Sequence, residues 1–442
     1  MSVRSSLVMG GVLLASGTAW AQPPLTLDAA VSEALAANQG LAATRAAGDE
    51  ARARIPQARA GYFPRIDFTE GWQRSNQPVF VFSSLLSQQR FTADNFAIDV
   101  LNNPDPLSNF RVALTVEQII YDGGRREAGV RRARLEDRLA RLEVEHAELD
   151  VRLAVVRAFG RALAARAARE AADAAVTTVG EDLRRAETRR DAGLETEANV
   201  LALRVRLSER TAGSVRAISE EKVARAALNV AIGAPVDDGR VLIEPAPVRA
   251  TADAVRIETL ALEHRPEIKH AAARRESALA ARGMARSAFL PQLVAQGGVE
   301  ANGDSFTDRA SSWLAGVQVR INLFAGGADA ARLRESAATL ARVTAERAQL
   351  ESDIRLQVRS AIAELESAVA REATAREATG QARESLRMIR DRYEAGLVPA
   401  SELLRAAEAV LQAESLRIAA LTDTYVSAAA VTRAAGTEWI QP

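Results

Sequence analysis

The chain has 442 residues with 57 Lys and Arg against 57 Asp and Glu, so it can bury a large core but carries no net field for a polyanion, and nucleic acid is not an expected partner. It has no cysteine, which excludes a disulfide framework. Aromatic residues make up only 4%, while Ala, Arg, Glu and Leu fill long stretches free of Pro, a composition suited to long helices packed through small side chains.

The first residues, MSVRSSLVMGGVLLASGTAWA, place Arg4 ahead of an apolar run from Leu7 to Ala15, with Ala19 and Ala21 flanking Trp20. This pattern predicts a secretory signal peptide over 1–21, because the apolar run falls well short of the roughly 20 residues that span a bilayer. No Cys follows to receive a lipid. Membrane attachment is therefore expected from the folded chain alone.

Beyond the signal the sequence repeats itself. Leu35 aligns with Leu262 and Pro64 with Pro291, a shift of 227, whereas Gly123 and Gly124 align with Gly326 and Gly327 at a shift of 203. The difference of 24 residues places one insertion between about Ser75 and Asn109. The shift of 203 also relates RRDAGLETEANVLA from Arg189 to RYEAGLVPASELLR from Arg392. A first repeat over 22–232, a Pro- and Gly-rich linker over 233–252 and a second repeat over 253–442 follow.

Each repeat reads as helix, strand, strand, long helix, tight turn, helix. Arg125 to Asp191 and Ala328 to Glu394 are each 67 residues without Pro, and each predicts a helix about 100 Å long. The tips of the two resulting hairpins fall at 189–201 and 392–404, with Gly193 and Gly396 suited to ending a helix and Pro399 to starting the next.

Period-two alternation predicts strands over 62–74, 110–121, 289–300 and 312–324, the third the weakest. Tyr62, Ile66, Phe68 and Trp72 share one face of the first; Phe110, Val112, Leu114 and Val116 oppose Arg111, Thr115 and Glu117 in the second. A soluble sheet with one wet face shows the same alternation. Two features favour a membrane: segment lengths near the 9 to 11 residues of a tilted spanning strand, and aromatic residues toward segment ends. Four strands leave two open edges, which hydrocarbon does not tolerate. The chain is expected to pool strands with copies of itself. Three chains give twelve strands, and a dimer with eight is the numerical competitor, its interior nearly filled by side chains.

The order and double occurrence of these features, with YDGG and FAGG opening the long helices, Tyr62 to Pro64 and Phe289 to Pro291 entering the strands, and Arg-x-x-x-Gly at each tip, resemble the TolC-like outer-membrane efflux family. The resemblance implies a mostly α fold with a small membrane β-barrel. The trimer it implies joins a 12-stranded β-barrel in the outer membrane to a 12-helix periplasmic α-barrel, acting as the exit duct of a tripartite efflux or secretion system. It further implies that Arg189, Gly193, Leu194 and Leu201, with Arg392, Gly396, Leu397 and Leu404, meet a periplasmic adaptor that is bound to an inner-membrane pump. Glu402 matches a position where an acidic ring narrows the periplasmic mouth. Arg405 stands where a second acid is often found, and a Glu402–Arg405 pair would weaken cation selectivity. Tyr393 matches a residue that holds the gate shut against an acid of the first repeat; Asn199 occupies the acid's position here, so a neutral hydrogen bond is expected between them.

The sequence carries no catalytic constellation and implies no cofactor. His146, His264 and His270 lie in helical stretches and read as exposed positions. A soluble periplasmic adaptor or scaffold would account for the Ala-rich hairpins but not for the strands, and a stand-alone pore would leave the long helices unexplained. The insertion, QPVFVFSSLLSQQRFTADNFAIDVLNNPDP from Gln77, is expected as an outward-facing loop that either folds over the pore mouth or packs on the barrel rim.

Overall fold

A computed structural model describes residues 23–245 and 253–437. The expected signal peptide and the end of the expected linker, 246–252, lie outside the described residues. The element order is α1 (Leu27–Ala37), α2 (Gln39–Ala60), β1 (Arg65–Ser75), α3 (Pro78–Ser87), a 3-10 turn (Ala93–Phe96), α4 (Ile98–Asn102), β2 (Leu107–Tyr121), α5 (Arg125–Asp191) and α6 (Glu197–Ile232). It continues with α7 (Ala254–His264), α8 (Pro266–Ser287), β3 (Gln292–Gly303), β4 (Ala310–Arg320), α9 (Ala328–Glu394) and α10 (Ala400–Ala435). The doubled order is the one the sequence repeat predicts. Among the described residues, no helix is long and apolar enough to cross a membrane.

Two compact units divide the chain. One consists of Gln39–Leu153, Ala250–Ser367 and Ser427–Pro442, and holds the sheet. All three pairings are antiparallel in the order β1-β2-β3-β4, and β1 and β4 have no strand on their outer sides among the described residues. Alternation sorts β2 into an apolar face of Phe110, Val112, Leu114 and Val116 and a polar face of Asn109, Arg111, Ala113, Thr115 and Glu117. Register sets Trp72 opposite Phe110, with ring centroids 6.3 Å apart. Ile66, Phe68, Trp72, Trp313, Val317 and Val319 stay exposed in the single chain, and Trp313 keeps 78% of its surface.

β1 begins at Arg65 rather than Tyr62: Pro64 has no N–H for a ladder, and the Tyr62 amide instead closes a turn on the Arg59 carbonyl at 2.9 Å. β4 ends at Arg320, leaving Ile321 to Phe324 outside the strand. The matched glycine pairs explain themselves at the turns into α5 and α9. Gly123, Gly124, Gly326 and Gly327 all have φ between 63° and 83°, and a Cβ on Gly123 would lie 2.7 Å from that of Leu290.

Two expectations change in this unit. The insertion is not a bare loop but carries α3, a 3-10 turn and α4. His146 and His270 are half-buried rather than exposed. His146 sits between Asp150 at 3.4 Å and Glu267 at 3.3 Å, beside a cavity of about 220 Å³ that His270 also lines. Burial lowers the His270 pKa, helped by Arg274 and opposed by Glu143.

The other unit consists of Met1–Asn38, Ala154–Arg249 and Ala368–Val426. Within it α1 packs on α6, and Ala30, Ala34, Leu228 and Ile232 are buried. Leu25 and Leu242 form a parallel bridge that brings the start of the linker back to the N-terminal segment. Arg240 fastens the linker with a two-pronged bond to Glu33, at 2.7 and 2.8 Å, and a third bond to Asp238 at 2.7 Å.

Candidate functional site: the two hairpin tips

Both tips lie in the second of these units, and both close with the same backbone device. In the first, the Leu194 amide donates to the Arg189 carbonyl at 2.8 Å and the Gly193 amide to that of Arg190 at 2.9 Å. In the second, Leu397 donates to Arg392 and Gly396 to Tyr393, each at 2.9 Å. This paired closure needs a left-handed residue, which Gly193 (φ 72°) and Gly396 (φ 74°) supply. α6 is then capped by the Thr196 hydroxyl, which accepts from the Asn199 amide at 3.3 Å, while Pro399 precedes α10.

The apolar side chains beneath the tips join the repeats. Ala186, Val200 and Leu203 form a buried cluster against which Leu183 and Leu404 pack, so Leu404 is part of this support and not a free tip residue. Tyr393 and Leu403 form a second cluster with Leu386, Ile389 and Val398. Leu194 and Leu397 stand out at 69% and 75% exposure, far above what a turn needs for its own packing. Leu201 is half-exposed and Arg392 exposed.

The charged groups settle differently at the two tips. The hydrogen bond expected from Tyr393 to Asn199 goes instead to Glu195, whose Oε2 accepts from the Tyr393 hydroxyl at 3.3 Å, while the Asn199 side-chain amide donates to Oε1 of the same carboxylate. Asn199 therefore holds the acid rather than replacing it. Burial pushes the Glu195 carboxyl up, but the hydrogen bonds from Asn199, the Thr196 backbone and Tyr393 outweigh it and set the pKa below the usual value. Burial, reinforced by Glu195, raises the Tyr393 phenol. The bond is thus a neutral phenol donating to a carboxylate. The Arg189 guanidinium stacks 5.4 Å from the Tyr393 ring centre and donates to the Glu394 carbonyl at 3.4 Å, and Arg185 pairs with the Glu394 carboxylate at 3.0 Å.

At the second tip Glu402 and Arg405 pair within one helix at 2.7 Å, with side-chain exposures of 42% and 76%. Such an exposed pair is worth about 0.3–0.5 kcal/mol, so it fixes charge placement more than stability. Glu195 was invisible to motif matching because it lies inside the turn, four residues before the position the family pattern marks. The signal for it was the i, i+4 spacing to Asn199, an amide able to hold a carboxylate from the next helical turn. Among the described residues, no cluster of His, Asp and Glu could hold a metal ion.

A family model described as outer membrane efflux protein matches residues 30–234 and 259–437. The chain is similar in fold to a membrane protein from Pseudomonas aeruginosa, with a TM-score of 0.80 and 20% identity over 93% of this chain and 92% of that one. It is also similar to the outer membrane protein VceC of Vibrio cholerae, with TM-score 0.76, 19% identity and coverage of 94% and 97%. The CmeC outer membrane channel of Campylobacter jejuni gives TM-score 0.78 and 16% identity over 94% of this chain and 86% of that one. No curated protein matches the chain significantly.

Proposed function

Because the chain belongs to the outer membrane efflux protein family, a family of channels rather than enzymes, we propose that it is the exit duct of a tripartite efflux or secretion system, working as a trimer with a periplasmic adaptor and an inner-membrane pump. The observation that carries this reading is the sheet with two unpaired edges and an exposed aromatic face. In lipid an open edge leaves backbone groups unsatisfied, and three copies pairing β4 of one with β1 of the next would close twelve strands into a barrel. The repeats at 22–232 and 253–442, joined by the linker at 233–252, would then give the assembly near six-fold symmetry.

In the same reading the tips do two jobs. Leu194 and Leu397, with Arg189, Gly193, Leu201, Arg392 and Gly396, form the surface an adaptor takes; Leu404 supports it from beneath. Tyr393, Glu195 and Asn199 hold the first tip against the second, and Glu402 with Arg405 sets the charge at the periplasmic mouth. Pairing each Glu402 with an Arg405 predicts weak cation selectivity, since a ring of three carboxylates would be offset by three guanidinium groups.

The test is to extract the protein from outer membranes in mild detergent, weigh it by light scattering and record single channels in planar bilayers. A trimer that conducts, and conducts more when Glu402→Ala opens the mouth, is the expected result. A monomer or dimer, or a protein that stays soluble without detergent, overturns the duct. A conducting trimer with unchanged conductance and ion selectivity in Glu402→Ala removes Glu402 from the gate.

A further inference from the structure

We propose that α3, in the segment between β1 and β2, forms a size-selecting constriction inside the outer mouth of the barrel. The proposal rests on the duct reading above, which makes the polar face of the sheet the water-filled side.

The argument starts from which face of the sheet α3 occupies. Val81, Ser84 and Gln88, spaced three and four apart, are the side chains that α3 and its C-cap bury, at 6%, 4% and 5% exposure, so they form one stripe turned away from solvent. The Gln88 side-chain amide donates to the Ser108 carbonyl at 2.9 Å and to Asn109 Oδ1 at 3.0 Å. The Asn109 amide in turn donates to Asn302 Oδ1 at 2.9 Å. Asn109 alternates with Arg111, Ala113 and Thr115, so the helix is anchored to the polar face, opposite Phe110, Val112 and Leu114. α3 neighbours β2, β3 and β4, and on that face Ala113 and Asn302 are each only 3% exposed.

This placement is not what hydrophobicity alone would choose. The segment PVFVFSSLLS is strongly apolar, and the aromatic face of the sheet offers it a larger apolar surface. Instead its C-terminal end is tied by an Arg90–Asp304 ion pair to the turn between β3 and β4. The return leg is folded by edge-to-face stacking of Phe82 on Phe91 and Phe91 on Phe96, with ring centres 4.9 and 5.1 Å apart. Two polar anchors at its C-terminal end, Gln88 and Arg90, thus hold an apolar helix over the face that must line the water path.

Size makes this consequential. Twelve strands about 4.8 Å apart, tilted by about 40°, enclose a backbone cylinder about 24 Å across. Three helices of about 10 Å diameter, one from each chain, leave little of that width open. Opposite its buried stripe α3 exposes Val79 and Leu86, and Phe96 and Ile98 are exposed on the return leg, so the segment offers the remaining aperture an apolar lining.

The cysteine-free chain allows a direct test. Thr115→Cys puts one thiol on the polar face, further from the outer mouth than the Gln88 anchor. Intact cells are treated from outside with a small charged thiosulfonate or with a maleimide carrying a 5 kDa polymer. In the otherwise native chain the small reagent is expected to label and the polymer to label at least tenfold more slowly than after 78–103 is replaced by a short Gly-Ser link. The companion variant Gln88→Ala with Arg90→Ala, which frees the helix without deleting it, is expected to shift the polymer rate in the same direction should the deletion not assemble. Equal polymer rates in the native chain and in either assembled variant overturn the constriction. If the small charged reagent labels Leu114→Cys and not Thr115→Cys, the faces are reversed and the duct reading fails instead.

Discussion

The two hairpin tips share a backbone and differ in where their charge goes. Each closes on a left-handed glycine with the same pair of amide bonds and each presents one exposed leucine, Leu194 or Leu397. Yet the first tip folds its carboxylate, Glu195, back onto Tyr393 of the other repeat, whereas the second leaves Glu402 in solvent beside Arg405. One backbone scaffold, present twice, thus carries an inter-repeat contact at the first tip and an exposed ion pair at the second. The contrast also says which residues carry stability: the half-buried network at the first tip, not the exposed pair at the second.

The sharpest way to break the contrast is to remove Tyr393, the buried side chain that serves both tips. Tyr393→Ala should cost about 3–5 kcal/mol locally, by analogy with other buried aromatic truncations. It is expected to make both tips exchange amide hydrogens much faster, read by hydrogen exchange, while the sheet is unaffected. Tyr393→Phe keeps the cluster and loses only the bond to Glu195, a smaller loss of about 1 kcal/mol; equal effects of the two variants would place all the weight on packing and none on the bond.

A medium effect tests the buried charge beneath the tips. Burial raises the pKa of Asp182, with Arg390 and Arg185 opposing it only in part. A raised folded-state pKa means that the folded state holds its proton longer than the unfolded one. Stability is therefore full below the ordinary aspartate value and is lost as pH rises through the folded value. Asp182→Asn should melt with the native chain at low pH and above it at pH 7. A gap that narrows with rising pH would show that Asp182 is stabilised by its arginines instead. The smallest effect is at the exposed tip, where Glu402→Ala should leave the melting temperature within about a degree, as the weak surface pair implies.

Much of the fold was legible because its signals are periodic or doubled. The long helices could be read from the absence of Pro, and the turns from glycine pairs that recur at a constant shift. What was not legible depended on contacts distant in sequence. α3 looked like loop because a ten-residue apolar stretch next to Asn and Pro carries no periodic signature strong enough to name it, and its place on the sheet depends on Gln88 meeting Asn109. Likewise, Glu195 shows its role only when Tyr393, 198 positions away, is brought beside it. The half-burial of His146 arises from α8, which brings Glu267 against it.

If copies close the barrel as proposed, the unpaired edges of β1 and β4 also govern how the protein must be made. A single chain carries Trp313, Val317 and Val319 bare on a sheet whose edge strands have no partner among the described residues, a template for any extended chain it meets. In the trimer proposed above, correct closure is a higher-order reaction in protein concentration, while mispairing begins with any single encounter. Yield should therefore pass through a maximum as synthesis accelerates. At low supply partners are scarce, and at high supply naked edges outnumber the holdases that can cover them.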